Sequence, residues 1–194
     1  MESALVDDVI EFALLQAGEL DRSRGLNATQ LVKLVYLADL AHARARGGAT
    51  YTHAPWRFAH YGPFVEEVRD RIAPVVRRSG ASSTSRTEGG ANERFIVKDE
   101  DRLKAVTARL AAPIVLDVRR MVRDFHDDIP GLLDHVYKTA PMLRAAPGEL
   151  LDFSVESERV ESEPEAVALS AKQLKRQRER FAEARGKIQH RYLL

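Results

Sequence analysis

Cysteine is absent from the 194 residues, which removes disulfide frameworks, zinc–thiolate sites, iron–sulfur clusters and thiol nucleophiles together. Long apolar runs are missing too. No stretch of about 18 consecutive apolar residues occurs, so no membrane partner is expected. The opening MESALVDDVIEF is acidic, unlike a secretory leader, and the expected compartment is the cytoplasm. An excess of one charge sign is also lacking: 30 Lys+Arg stand against 29 Asp+Glu, for a net charge of +1. That balance argues against a bulk nucleic-acid binder while leaving room for a local basic patch. Aromatics are scarce, at 7%, with a single Trp. What remains is 44% apolar and 30% charged residues, rich in Ala, Leu, Arg and Glu. Such a chain is globular and helix-leaning, and it is long enough to bury about 70% of its unfolded surface in one domain.

The first helical pattern has Leu5, Val6, Val9, Ile10, Phe12, Ala13 and Leu14 on its apolar side, Ser3 as N-cap and Gly18 near its stop. A second helix starts at Asn27, where Asn-Ala-Thr-Gln approximates a capping box. It runs through Leu31, Val32, Leu34, Val35, Leu37, Ala38 and Ala41, apolar around more than half its circumference, and is expected to be the central core helix. Gly47-Gly48 ends it. Residues 49–60 carry β-formers and a Pro, which predicts an extended segment with Trp56 and Phe58 on one side. Pro63 then suits the first turn of a third helix, with Phe64, Val65, Val68, Ile72 and Val75 inward.

Ser83–Thr87 and Arg94–Lys98 flank a polar, Gly-containing stretch and predict one small β-hairpin. Asp99 caps a long helical stretch in which Pro113 either makes a kink or starts a new helix. Ile129 to Val136 forms a further helix. The expected class is mainly α: a compact helical domain with a two-stranded hairpin and a C-terminal tail helix.

Past Pro147-Gly148 the composition changes. Residues 150–169 hold Asp152, Glu156, Glu158, Glu161, Glu163 and Glu165 against Arg159 alone, a balance of −5. Residues 170–194 hold eight bases against Glu179 and Glu183, a balance of +6. The expected organisation is therefore a domain over 1–148, an acidic linker over 149–169 and a basic amphipathic helix over 170–194. Leu174, Phe181 and Ile188 recur every seven residues on that helix. With Arg178 and Arg185 beside them, they form a stripe suited to packing, to a partner or to homo-oligomerisation, while Lys172, Lys175, Arg176, Arg178 and Arg180 would also suit nucleic acid.

Chemistry-bearing motifs are few. Six His residues invite a metal site, but His42, His53, His60 and His126 match no closed ligand spacing. His60 is expected half-buried beside Tyr61. There is no GxSxG and no glycine-rich phosphate loop. The carboxylates fall where solvated helix faces are expected. Neither a cofactor nor enzymatic activity is expected. The aromatic segment Trp56-Arg57-Phe58-Ala59-His60-Tyr61-Gly62-Pro63 is the unusual feature, because Gly62 predicts a positive φ or a close backbone approach.

Leu26-Asn-Ala-Thr-Gln-Leu-Val-Lys-Leu-Val-Tyr-Leu-Ala-Asp-Leu40, followed by Phe58-Ala-His-Tyr-Gly-Pro-Phe-Val-Glu-Glu-Val68, resembles the SocA-like antitoxin family. The shared module of that family is the Panacea domain, also met in phage-associated GepA-like proteins. Lys33, Leu34, Tyr36, Leu37, Ala38 and Asp39 match its "K-L-x-Y-L-A-D" helix, and Tyr61, Gly62 and Pro63 match its "Y-G-P". The likeness spans roughly residues 5–145. Its closing helix and Thr-containing turn correspond to Leu132–Tyr137 with Thr139, where Met142 replaces the family's aromatic.

The resemblance implies a mostly helical antitoxin that neutralises a co-encoded toxin by direct binding. It also implies adaptor activity that delivers the toxin to a AAA+ protease. The defining cluster is expected to be Lys33, Tyr36, Asp39, Trp56, Tyr61, Gly62 and Pro63. Asp39 has three expected partners: Lys33, Arg57 or the Tyr61-Gly62 backbone. Leu174, Arg178, Phe181, Arg185 and Ile188 are the expected toxin-facing residues. The alternative function is a winged-helix-like DNA-binding autorepressor, with Arg86, Arg94 and Lys98 as the bases of its wing.

Overall fold

The computed structural model describes residues 1–21, 25–84 and 93–156. Two 18-residue helices form its centre, α1 (Ser3–Leu20) and α2 (Ala28–Ala45). Between and around them run β1 (Leu26–Asn27), β2 (Arg57–Ala59), β3 (Gly62–Phe64), α3 (Glu66–Asp70), α4 (Ile72–Ser79), β4 (Ser82–Thr84) and β5 (Arg94–Ile96). α5 (Glu100–Arg109), α6 (Ala112–Phe125), α7 (Ile129–Tyr137) and α8 (Ala140–Arg144) complete the order. The mainly α class is borne out.

α2 is the core helix that its pattern predicts, with every residue from Gln30 to Ala41 buried. Its N-terminus is the expected capping box: Gln30 N–H donates to Asn27 Oδ1 at 2.9 Å, and Asn27 N–H donates to Gln30 Oε1 at 3.1 Å. The same Gln30 amide also donates from Nε2 to the Phe125 and His126 carbonyls, at 3.2 and 2.8 Å. One side chain thus starts α2 and satisfies two open carbonyls at the end of α6.

α1 differs from its reading. Glu2 rather than Ser3 occupies the N-cap, with no side-chain cap bond, and Gly18 lies inside the helix. A Cβ at Gly18 would stand 1.9 Å from the Val97 carbonyl oxygen, so glycine is required there by the chain leaving β5. Asp7 and Glu11, expected on a solvated face, are buried.

The stretch expected as one helix from Pro63 is three elements. Pro63 lies in β3, and the helix begins only at Glu66. It breaks at Arg71 because Pro74 lacks an N–H and its ring opposes the carbonyl four residues back, at Asp70. Pro113 acts in the same way: α5 stops at Arg109, and the proline sits in the first turn of the new helix α6.

The expected hairpin exists as β4 paired with β5, in the register Ser82↔Ile96 and Thr84↔Arg94. It is not a two-stranded sheet, however. Leu26-Asn27 adds β1 against β5, giving the order β1-β5-β4. A second sheet joins β2 to β3.

The expected boundary at 148 also moves. Phe58 N–H donates to the Glu149 carbonyl at 2.9 Å, Gly148 N–H to Phe58 O at 2.7 Å, and Leu151 N–H to Trp56 O at 2.8 Å. Residues 148–151 therefore run along β2, bridged to it antiparallel at Arg57↔Leu150, and Leu151, Phe153 and Val155 are buried. The acidic composition that marked a linker begins, up to residue 156, as an apolar strap. The basic helix expected over 170–194, with Leu174, Arg178, Phe181, Arg185 and Ile188, lies outside the described residues.

Candidate functional site

Six of the seven cluster residues (Lys33, Tyr36, Asp39, Trp56, Gly62 and Pro63) are buried together between α2 and the loop from residue 51 to 63. Tyr61 stands apart, 38% exposed at the hairpin tip. α2 supplies Lys33, Tyr36 and Asp39 at helical spacing, so one apolar helix turns a polar line toward the loop.

Asp39 makes none of the three contacts considered for it. Its Oδ1 accepts from the Thr52 amide at 2.7 Å. Its Oδ2 accepts from the Thr52 hydroxyl at 2.6 Å and from the Trp56 indole N–H at 2.7 Å. Burial pushes the Asp39 carboxyl above its usual range, while these donors act in the opposite direction. The fastened loop includes His53 at φ 53°, an uncommon conformation for a residue with a side chain. Thr52 is the partner that the sequence concealed: nothing local marks a Thr that will meet an Asp 13 positions earlier.

Lys33 reaches the second motif instead. Its Nζ donates to the Pro63 carbonyl at 2.8 Å, and burial lowers its pKa from 10.5 to about 7. The ladder explains why Pro63 is there. Phe58 spends both backbone groups on residues 148 and 149, so the opposing Pro63 faces away from β2 and its missing N–H costs nothing. Its outward carbonyl would be an open edge, and Lys33 closes it. Gly62, at φ 90°, follows a two-residue turn of His60 and Tyr61, neither of which has positive φ. That is a tight turn closed by a bulge glycine, the reason for Gly in "Y-G-P".

Tyr36 completes the set. Its hydroxyl lies 2.6 Å from Thr139 Oγ1, and its ring meets Trp56 edge-on at 5.5 Å and Phe153 at 5.7 Å. Burial pushes the phenol well above its ordinary value. The Thr-containing turn that the resemblance singled out is thus the partner of the Tyr of the core helix. The strap ends on Glu156, whose Oε2 accepts from Arg44 Nε at 2.6 Å.

The buried polar side chains of the cluster all have partners within the fold: the Pro63 carbonyl for Lys33, the Thr139 hydroxyl for Tyr36, and Thr52 and Trp56 for Asp39. Outside it, Arg57 donates to the Gly148 carbonyl at 3.2 Å, and Tyr137 hydroxyl donates to the His60 carbonyl at 3.3 Å. His60 itself is exposed, not half-buried. Of the bases considered for a DNA-binding wing, Arg94 donates to the Gly25 carbonyl at 3.0 Å and Lys98 pairs with Glu19 at 3.5 Å. Arg86 lies outside the described residues. Among the described residues no group of three His, Asp or Glu side chains is placed to hold a metal ion. No helix among them is long and apolar enough to cross a membrane. Comparison with protein-family models, curated proteins and solved structures finds no match to this chain.

Proposed function

We propose that this protein is a cytoplasmic antitoxin that neutralises a co-encoded toxin by stoichiometric binding and not by catalysis. The observation that carries the reading is the Lys33–Pro63 bond, 2.8 Å long, which joins the two motifs responsible for the family resemblance. Residues separated by 30 positions in sequence meet there. Their chemistry is used to hold a turn in place, not to present a reactive group. What the turn offers outward is surface: Tyr61, the exposed His60 and the neighbouring Arg57. A rigid scaffold presenting a shaped surface is what inhibition by binding requires.

Two refinements belong to the same reading. Leu174, Arg178, Phe181, Arg185 and Ile188 would supply a second contact with the toxin, and the +6 charge of their segment would speed encounter with an acidic partner. Delivery of the bound toxin to a AAA+ protease is the finer form of the activity. The autorepressor reading is less favoured, because Arg94 and Lys98 already have partners.

The test is affinity purification of the full chain from its native host, followed by expression of each near-stoichiometric partner alone and together with this chain. A small protein that arrests growth alone, and is harmless in the pair, is the expected result. Partners that never arrest growth would overturn the reading. Falling toxin levels in the pair would separate an adaptor from a blocker.

A further inference from the structure

The β2–β3 hairpin overhangs an open groove of about 1240 Å³. Phe58, Tyr61, Phe64 and Tyr137 line it together with Arg57, His60, Glu66 and Glu67. The rings of Phe58, Phe64 and Tyr137 are half-buried, and Tyr61 is exposed. Both glutamates are exposed, and neither pairs with a cation among the described residues. Asp7, Asp8, Glu11 and Asp117, by contrast, have arginine partners. Four aromatic rings with two carboxylates against the one guanidinium of Arg57 suit an occupant that combines bulky apolar side chains with cations, since ring faces attract cations too.

The chain carries such a segment itself. In 170–194, Leu174, Arg178 and Phe181 share one face at helical spacing, and Lys175 lies three positions before Arg178. Reach is sufficient. Gly148 lines the groove, and Glu156 is eight residues further on, so it is within about 28 Å of it. Thirteen residues, 157–169, then separate Glu156 from the basic segment and span up to about 45 Å.

We propose that the basic segment of the same chain docks in this groove, with Leu174 and Phe181 against the rings and Lys175 and Arg178 against Glu66 and Glu67. The inference does not depend on the antitoxin reading, because the docking involves this chain alone.

Zero-length carbodiimide coupling of the dilute full chain, read by peptide mass spectrometry, tests it. The experiment uses an equal mixture of light- and heavy-isotope protein. The expected product joins the Lys175 amine to the Glu66 or Glu67 carboxyl within light or within heavy chains, and its yield falls at least fivefold in Leu174→Ala/Phe181→Ala. Absence of that link in the unaltered chain would overturn the proposal. So would a link that the double variant leaves unchanged. Light–heavy pairs at the statistical level would make a second copy the occupant and overturn docking within one chain.

Discussion

On α1, Asp7 and Glu11 meet guanidinium groups: Arg71 and Arg78 reach Asp7 at 2.6 and 3.0 Å, and Arg102 bonds to Glu11. On α2, Asp39 meets an amide, a hydroxyl and an indole, and no cation. Both helices bury carboxylates, and the consequences are opposite. Burial pushes Asp7 up, but the two arginines outweigh it and hold the carboxyl below its usual range. Asp39 has only neutral donors to oppose burial and ends above that range. The arginines that meet α1 keep contact with water, so their network fastens α4 and α5 from outside. The α2 network is sealed and specifies one loop path. Ionic fastening tolerates rearrangement, whereas a sealed set of neutral donors does not, because each lost acceptor strands a buried donor.

The largest expected effect comes from Asp39→Ala, which removes the acceptor of three hydrogen bonds at once. It should cost about 4 kcal/mol in urea unfolding followed by the emission of Trp56, the only tryptophan. A loss below about 1 kcal/mol would mean that the loop does not depend on this network.

Lys33 is next. Its pKa of about 7 in the fold lies below the ordinary 10.5, so between these values the unfolded chain binds the extra proton. Stability should therefore rise with pH from 7 toward 10, by at most about 1.4 kcal/mol per pH unit. Lys33→Met should flatten that rise relative to the unaltered protein. Asp7 changes stability in the same direction but in an acid window: its contribution is present above pH 3.8 and is lost as pH falls through its lowered folded value.

Glu11→Gln should cost about 1.5 kcal/mol in low salt and clearly less in 1 M NaCl, because the arginines around it are partly exposed. Asp39→Asn should show no such salt dependence, which sharpens the contrast between the two helices. Gly62→Ala should cost about 1–2 kcal/mol. Its Cβ would meet Tyr137 and Lys33 only at ordinary distances of 3.6 and 3.7 Å, so the penalty is one of backbone conformation. Smallest of all, Lys104→Ala removes an exposed pair with Asp101 at 3.4 Å and should change stability by less than about 0.5 kcal/mol.

How legible each feature was follows from the range of the interaction behind it. The Asn27–Gln30 box, the Asp99 cap of α5 and the break at Pro113 depend on neighbours within one turn, and their residue types announce them. Pro74 offered the same kind of signal. It was hidden because the apolar pattern of Val68, Ile72 and Val75 runs straight through it. Pro63 was misplaced for a related reason: a proline that suits a helix start suits a sheet edge equally well.

By itself, the sequence determined a helical body without covalent staples, a core helix from residue 28, and a bend at Gly62 that only a residue tolerant of positive φ makes cheaply. These depend on backbone sterics, capping and periodicity, all readable over a few residues. Tertiary structure alone decided that Asp39 would answer Thr52 and Trp56, that Leu26-Asn27 would pair with β5, and that residues 148–156 would close over Trp56. Each of these joins segments distant in sequence. Such segments choose partners by which buried donor or open edge still lacks one after the helices have packed, and no local pattern records that remainder.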